Sequence, residues 1–335
     1  MDLIKGYGVT QKIEQVCFDN SIQPLDPSTV HQVPLATGRM MPVAAFGTFH
    51  SDWAQNYMEE ATAEAIRLGW RHIDTARAYE NEEVVGEAIR RAIREGYIAS
   101  ADELFITGKL WNGHMAPKDV APAMDTTLQA LGVDQIDMYL NHWPWPNVHT
   151  PGCATDHRNP GAVPYIHEAF LETWAEICKL KQAGKVVDIG TSNHTQATMK
   201  LLLRDVAQDE RPVYNQMEMH PLLQQTELRR YFESEGIVCG GYMALGSPNR
   251  PGRDTFKEHR ADMMDPTIQA IAAELGESLA KVALAWAAQR ENKSGGYVAM
   301  ATRSDWIAEN LRVATDDLLS AEQLLRICGD DTPQN

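Results

Sequence analysis

From Val33 onward the chain alternates between two hydrophobic periods. Short β-branched or apolar runs, the pattern of strands buried on both faces, are each followed by a longer stretch with apolar residues at helical spacing. VAAFGT (43–48) predicts a strand, and YMEEATAEAIRLG (57–69) predicts a helix carrying Met58, Ala61, Ala65 and Leu68 on one face. WRHIDTA (70–76), LFITGKLW (104–111) and IDMYLNHW (136–143) predict the next three strands. Between them run helices over 82–96, closed by Gly96, and over 117–132; glycine past a helix end is the usual stop. A helix over 166–184 ending at Gly184 leads to strands at VVDIGTS (186–192), PVYNQMEM (212–219), IVCGGYMAL (237–245) and YVAMA (297–301). Helices are predicted after them over 198–207, 228–236, 278–291 and 306–314. Eight strand–helix repeats imply a parallel sheet closed into an α/β barrel, the (β/α)₈ TIM barrel. An open doubly wound sheet is the competing fold, and eight units is many for it.

Two connections are too long for simple turns: residues 144–165 after the fourth strand and 246–265 after the seventh. Both follow strand C-termini, the end where barrel enzymes build their sites, and long loops in compact domains are usually functional. Residues 1–30 show no strong period and are expected to form an N-terminal extension packed on the barrel. Residues 31–328 are expected to be a single barrel domain.

Composition narrows the class of partner. The 335 residues are 44% hydrophobic and 23% charged, and 30 Lys+Arg against 46 Asp+Glu give a formal charge of -16. That balance argues against a nucleic-acid backbone or an anionic membrane as partner. No apolar run reaches the ~18 residues of a spanning helix. The start MDLIKGYGVTQKIEQ lacks the basic-then-apolar order of a secretory signal. Cys17, Cys153, Cys178, Cys239 and Cys328 are scattered and odd in number, as in a reduced compartment. The expectation is a cytoplasmic protein, a monomer, acting on a small molecule.

Four polar residues fall at, or just past, the ends of successive strands: Asp74, Tyr79, Lys109 and His142. Phe46, Phe49, Trp111 and Trp143 are near them and are candidates for the walls of an apolar pocket. A lysine beside an aspartate stays protonated, and its charge favours a phenolate, lowering a tyrosine toward neutral pH. Such a phenol can protonate a carbonyl oxygen that is gaining negative charge, while a neutral histidine orients that oxygen. The set contains no protein nucleophile next to a base, so a hydride from a cofactor completes the chemistry. Singly, a strand-end Lys–Asp pair is more often a structural ion pair and a lone His more often a core residue. A metal-dependent hydrolase using His142, His149, His157 and His167 is a competing reading, but their spacing follows no metal-site pattern.

The segment HIDTARAYENEEVVGEAI resembles the aldo-keto reductase signature around its aspartate and tyrosine. FITGKLW and YLNHWP resemble the family's lysine and histidine strands, and IGTSNH, YNQMEMHP and GYMALGSPNRP resemble three later family motifs in order. The resemblance spans roughly 33–318. It implies reduction of a carbonyl with NADPH, Tyr79 acting as acid, Lys109 and Asp74 tuning it, and His142 orienting the substrate. By the same resemblance Thr48, Ser192, Asn193 and Gln216 contact the nicotinamide end and Tyr242 stacks on its ring. Leu245, Ser247 and Asn249 cover the pyrophosphate, and Glu309 and Asn310 bind adenine. Where the family carries a Lys and an Arg for the 2′-phosphate, this chain has Met300 and Trp306. Arg303 is the nearby cation that would replace them and Trp306 a ring to stack on adenine, which leaves NADH open beside NADPH. Phe49, Trp111, Lys118 and Trp143 are expected to contact substrate. Lys118 opens a helix on the catalytic side and suits a carboxylate, while Arg158, Arg250, Arg253, His259 and Arg260 read better as solvated loop charges. The pattern is similar to that of sugar-acid reductases such as D-galacturonate reductases. A redox-sensing, coenzyme-binding regulatory subunit is the alternative function.

Overall fold

The computed structural model describes residues 16–49, 52–147, 163–246, 265–290 and 295–329. Eight parallel strands close into a barrel: β3 (Ala44–Gly47), β4 (His72–Asp74), β5 (Phe105–Leu110), β6 (Ile136–Asn141), β7 (Val186–Ser192), β8 (Tyr214–Glu218), β9 (Val238–Tyr242) and β10 (Gly295–Ala299). Each pairs with its sequence neighbour, and β10 pairs with β3 to complete the ring. The predicted (β/α)₈ fold is therefore present, and the open doubly wound sheet is not. Closure leaves no sheet edge, and both faces of each strand are covered. All six residues of β5 are buried, Lys109 among them.

The helices predicted from periodicity form the outer ring: α1 (Met58–Leu68), α2 (Glu82–Arg94), α3 (Pro117–Leu131), α4 (His167–Gln182), α5 (Gln196–Asp205) and α6 (Thr226–Ser234). The chain continues through α7 (Pro266–Leu275), α8 (Leu279–Gln289), α9 (Ser304–Arg312) and α10 (Ala321–Cys328). α7 and α10 were not foreseen. Asp265 caps α7 through Thr267 and Ile268 N–H at 2.8 and 3.1 Å, followed by Pro266. Ser320 and Gln323 form a reciprocal capping box at the start of α10. Among the described residues no helix is long and apolar enough to cross a membrane.

Also unforeseen is the antiparallel hairpin of β1 (Gln32–Pro34) and β2 (Met40–Pro42), which precedes the barrel. Arg39, at its tip, bonds Asp137 at 2.5 Å and Asp188 at 3.2 Å, both near the starts of their strands. The hairpin thus closes the N-terminal end of the barrel and leaves the C-terminal end for the site. Residues 16–30, the described part of the N-terminal extension, contact the barrel. Leu25 N–H donates to Leu68 O at 3.0 Å, and the Cys17 backbone pairs with that of Arg303 in an isolated parallel β-bridge. Gly69 stops α1 at φ 110° and meets that extension closely, since a Cβ there would lie 2.5 Å from Leu25 O.

Inside the barrel, Tyr214 lies over Gly240, whose added Cβ would sit 1.6 Å from the phenol oxygen. Phe46 is buried and meets Trp70 edge-on at 5.6 Å, and the Trp70 indole donates to Ile307 O of α9. It belongs to the layer between barrel and helices, so its expected place in a pocket wall is corrected.

Candidate functional site

The C-terminal ends of β4 and β5 fix an aspartate and a lysine face to face. Asp74 ends β4 and Lys109 is the penultimate residue of β5. Parallel pairing of these strands joins Asp74 to Thr107, and the two-residue period then points Lys109 to the same side as Thr107. Lys109 Nζ donates to Asp74 Oδ1 at 2.5 Å, to Thr75 O at 3.2 Å and to Tyr79 Oη at 3.1 Å. An ammonium has three donors, and all three are used. Asp74 accepts at its other oxygen from Gln216 Nε2 at 2.7 Å.

Tyr79 ends a turn of 3₁₀ helix, Arg77–Tyr79, that reverses at Glu80 in the left-handed region (φ 53°). The next two residues anchor that turn. Asn81 Nδ2 donates to Thr48 O at 2.7 Å, and buried Glu82 accepts from Thr127 Oγ1 at 2.8 Å. Neither anchor was singled out from the sequence, although both lie within the signature around Tyr79. His142 lies one residue past β6, edge-on to Tyr79 at 5.9 Å and to Trp111 at 5.4 Å. The four predicted residues thus converge on one point of the barrel rim.

The electrostatics differ from the expectation in one respect. Burial raises the Tyr79 pKa above the usual phenol value; Lys109 pulls it down and Asp74 adds to the rise, and the net shift is upward. The phenol therefore keeps its proton through neutral pH rather than being tuned toward it. Burial works against the charge on Lys109, but Asp74 and Tyr79 outweigh it and hold its pKa above the ordinary lysine value. The site holds a fixed ammonium and a protonated phenol.

Around β7, β8 and β9 the expected cofactor residues form one connected set. Tyr242 Oη donates to Asn193 Oδ1 at 2.7 Å, and Asn193 Nδ2 donates to Ser192 Oγ and to His142 O, both at 3.0 Å. Asn193 sits at φ 61°, a conformation asparagine tolerates better than most residues. Ser192, Gln216 and Thr48 are buried; Tyr242 and Leu245 are half-buried. A ring of amides and hydroxyls beside a half-buried phenol suits the carboxamide and flat ring of a nicotinamide. Ser247 and Asn249 lie outside the described residues, as do Arg158, Arg250, Arg253, His259, Arg260, His149 and His157. His167 lies on α4, bonded to Asp205 at 2.7 Å.

After β10, which lies between β9 and β3 in the ring, Arg303 is already engaged by a carboxylate. It grips Asp305 through Nε–Oδ1 at 3.0 Å and Nη2–Oδ2 at 2.8 Å, and its guanidinium lies 4.8 Å from the centre of the Trp306 ring. Trp306, expected to meet adenine, thus has one face against this arginine. Glu309 accepts from Ser278 Oγ, and Asn310 is buried with its carbonyl accepting from Tyr297 Oη at 2.6 Å. Asp305 was missed in the sequence, although it precedes Trp306 and stands two residues after Arg303.

Of the expected substrate contacts, Phe49 is exposed and meets Tyr79 edge-on at 5.2 Å. Trp111 is buried, and half-buried Trp143 lies 5.3 Å from Trp145. Asn112 Nδ2 donates to Trp145 O at 2.8 Å and ties the loops after β5 and β6 together. Lys118 is exposed on the first turn of α3, at the catalytic end of the barrel.

Comparison with known proteins agrees with this geometry. The model of the Aldo/keto reductase family matches residues 44–328. An aldo/keto reductase of Synechocystis sp. is 34% identical over 289 residues, covering 86% of this chain and 85% of its own. Aldo-keto reductase family 1 member A1 of Xenopus tropicalis is 35% identical over 298 residues, 89% of this chain and 88% of its own. The Homo sapiens protein of that name is 34% identical over 260 residues, covering 77% and 78%.

Proposed function

The chain belongs to the aldo/keto reductase family of carbonyl oxidoreductases, and from that premise we propose that it reduces the aldehyde of an open-chain sugar or sugar acid, such as D-galacturonate, to the alcohol. The observation that carries the reading is Lys109 Nζ held between Asp74 at 2.5 Å and the Tyr79 phenol at 3.1 Å. The coenzyme is NADPH or NADH, and when bound it supplies the hydride. The rest of the chemistry belongs to the chain. As hydride reaches the carbonyl carbon, negative charge grows on the oxygen, and Tyr79 Oη gives its proton there. The phenolate left behind lies beside the Lys109 ammonium, which Asp74 keeps charged. That attraction grows with the charge developed in the reaction, so it favours the transition state over the ground state. His142 orients the carbonyl oxygen.

Ser192, Asn193 and Gln216 would hold the nicotinamide amide, and Tyr242 would pack on its ring. Phe49, Trp111 and Trp143 give apolar and aromatic faces against which the carbon chain of a sugar can lie. Lys118, at a helix start, attracts the carboxylate of a uronic acid, aided by the helix N-terminus.

Oxidation of NADPH and NADH in the presence of D-galacturonate, D-glucuronate, D-xylose and glyceraldehyde tests the reading. Turnover with the sugars supports it. Tight coenzyme binding without oxidation of any aldehyde would favour a coenzyme-sensing subunit. Lys118→Met is expected to raise the KM for the uronates relative to D-xylose by about tenfold, the scale of one charge-assisted contact. An unchanged ratio would remove Lys118 from the site.

A further inference from the structure

The helix after the last barrel strand carries its own anion at the place where barrels commonly bind phosphate. Phosphate sites in this fold often use the loops after the seventh and eighth strands and a helix N-terminus there. β10 is the eighth strand of the ring and α9 follows it, with Arg303 at the N-cap and Asp305 in the first turn. Arg303 and Asp305 form a two-bond fork at 3.0 and 2.8 Å, with the guanidinium packed on Trp306. Hydrogen bonding from Arg303 holds the Asp305 carboxyl below its usual range, so it is ionised at neutral pH. The extension fills another part of the helix start: Ser304 N–H donates to Cys17 O at 2.8 Å, and Asp19 N–H donates to Ser304 Oγ at 2.8 Å. The positive helix end and the adjacent arginine are both already answered from within the chain.

We propose that Asp305, held by Arg303, selects the coenzyme at its ribose and favours NADH over NADPH. The proposal rests on the reading that the chain binds a nicotinamide dinucleotide along this rim. A carboxylate is an acceptor for the ribose hydroxyls, the same use to which dinucleotide-binding folds put an acidic residue. A 2′-phosphate brings about −1.5 to −2 charges. It competes with the Asp305 carboxylate for Arg303, and two anions then face one arginine. The NADPH that the family resemblance implies, with Arg303 standing in for the missing cations, gives way to NADH once Asp305 is counted.

The test is equilibrium binding of NADH and NADPH to the full chain, by calorimetry, for the parent and Asp305→Asn. Asp305 is an exposed surface residue and the substitution keeps its shape. The parent is expected to bind NADH about tenfold more tightly than NADPH, a modest free-energy difference. Asp305→Asn is expected to tighten NADPH by about tenfold and to move NADH much less, with the gain shrinking as salt rises. Tighter binding of NADPH by the parent, or an unchanged ratio in the variant, would overturn the role of Asp305 while leaving the coenzyme reading in place. Failure of either coenzyme to bind folded protein would overturn both.

Discussion

The two ends of the barrel each hold a cation between acids, and they use it differently. At the N-terminal end Arg39 is shared by Asp137 and Asp188, at 2.5 and 3.2 Å. At the C-terminal end Lys109 is shared by Asp74, Thr75 O and the phenol of Tyr79. Arg39 meets two charged partners and is saturated by them, which closes a hairpin over strand starts. Lys109 meets one carboxylate and one neutral phenol. Part of its charge therefore faces a group that becomes anionic only if it gives up a proton. One end spends its charge on carboxylates, and the other keeps part of it beside a group that can release a proton.

Breaking the upper group has the larger effect. Lys109→Met leaves Asp74 buried beside an apolar chain and removes the cation next to the phenol. It is expected to cost about 3–5 kcal/mol of stability, as for one partner removed from a buried pair. It should also lower kcat by about 10²–10⁴-fold, the range of lost acid catalysis. Chemical denaturation and steady-state rates check the two parts separately. Arg39→Met is expected to cost about 1–3 kcal/mol, because Asp188 stays buried without its partner. Its kcat should be unchanged at temperatures where it is folded. A kcat loss as deep as that of Lys109→Met would erase the distinction between the two ends.

The pH response sharpens the same contrast with a smaller effect. Tyr79 and Lys109 both have folded-state pKa values above their unfolded ones. The stability each contributes is present below its unfolded value, about 10 for either group, and is lost as pH rises through the folded value. Denaturation midpoints should therefore fall on the alkaline side, and less steeply in Tyr79→Phe. The reduction rate should show no loss near neutrality that belongs to Tyr79, since the phenol stays protonated there. A Tyr79-dependent fall in kcat/KM centred near pH 7 would contradict this.

What could be read from the chain followed the range of the interactions. Barrel strands such as FITGKL are buried on both faces and appear as continuous apolar runs, so their order and the closed ring were legible. The β1–β2 hairpin was not, because its strands have three residues each and too few positions to show a period. α7 was missed despite Asp265-Pro266 at its start and Gly276 at its end, because in the sequence it directly follows the long stretch 246–265 read as a loop. Asp74, Tyr79, Lys109 and His142 stand at predicted strand ends, and their convergence follows from the ring. The fork of Arg303 and Asp305 depends on side-chain direction at a helix start, and the sign of the Tyr79 shift depends on burial. Neither is written in spacing alone.

The most direct measurement compares the parent with Tyr79→Phe under saturating reduced coenzyme and aldehyde, following loss of nicotinamide absorbance, with coenzyme affinity measured on the same samples. The account predicts that the variant binds coenzyme as the parent does and oxidises it about 10²–10⁴-fold more slowly. Oxidation at the parent's rate by Tyr79→Phe would contradict the assignment of the proton donor and, with it, the role given to the buried lysine.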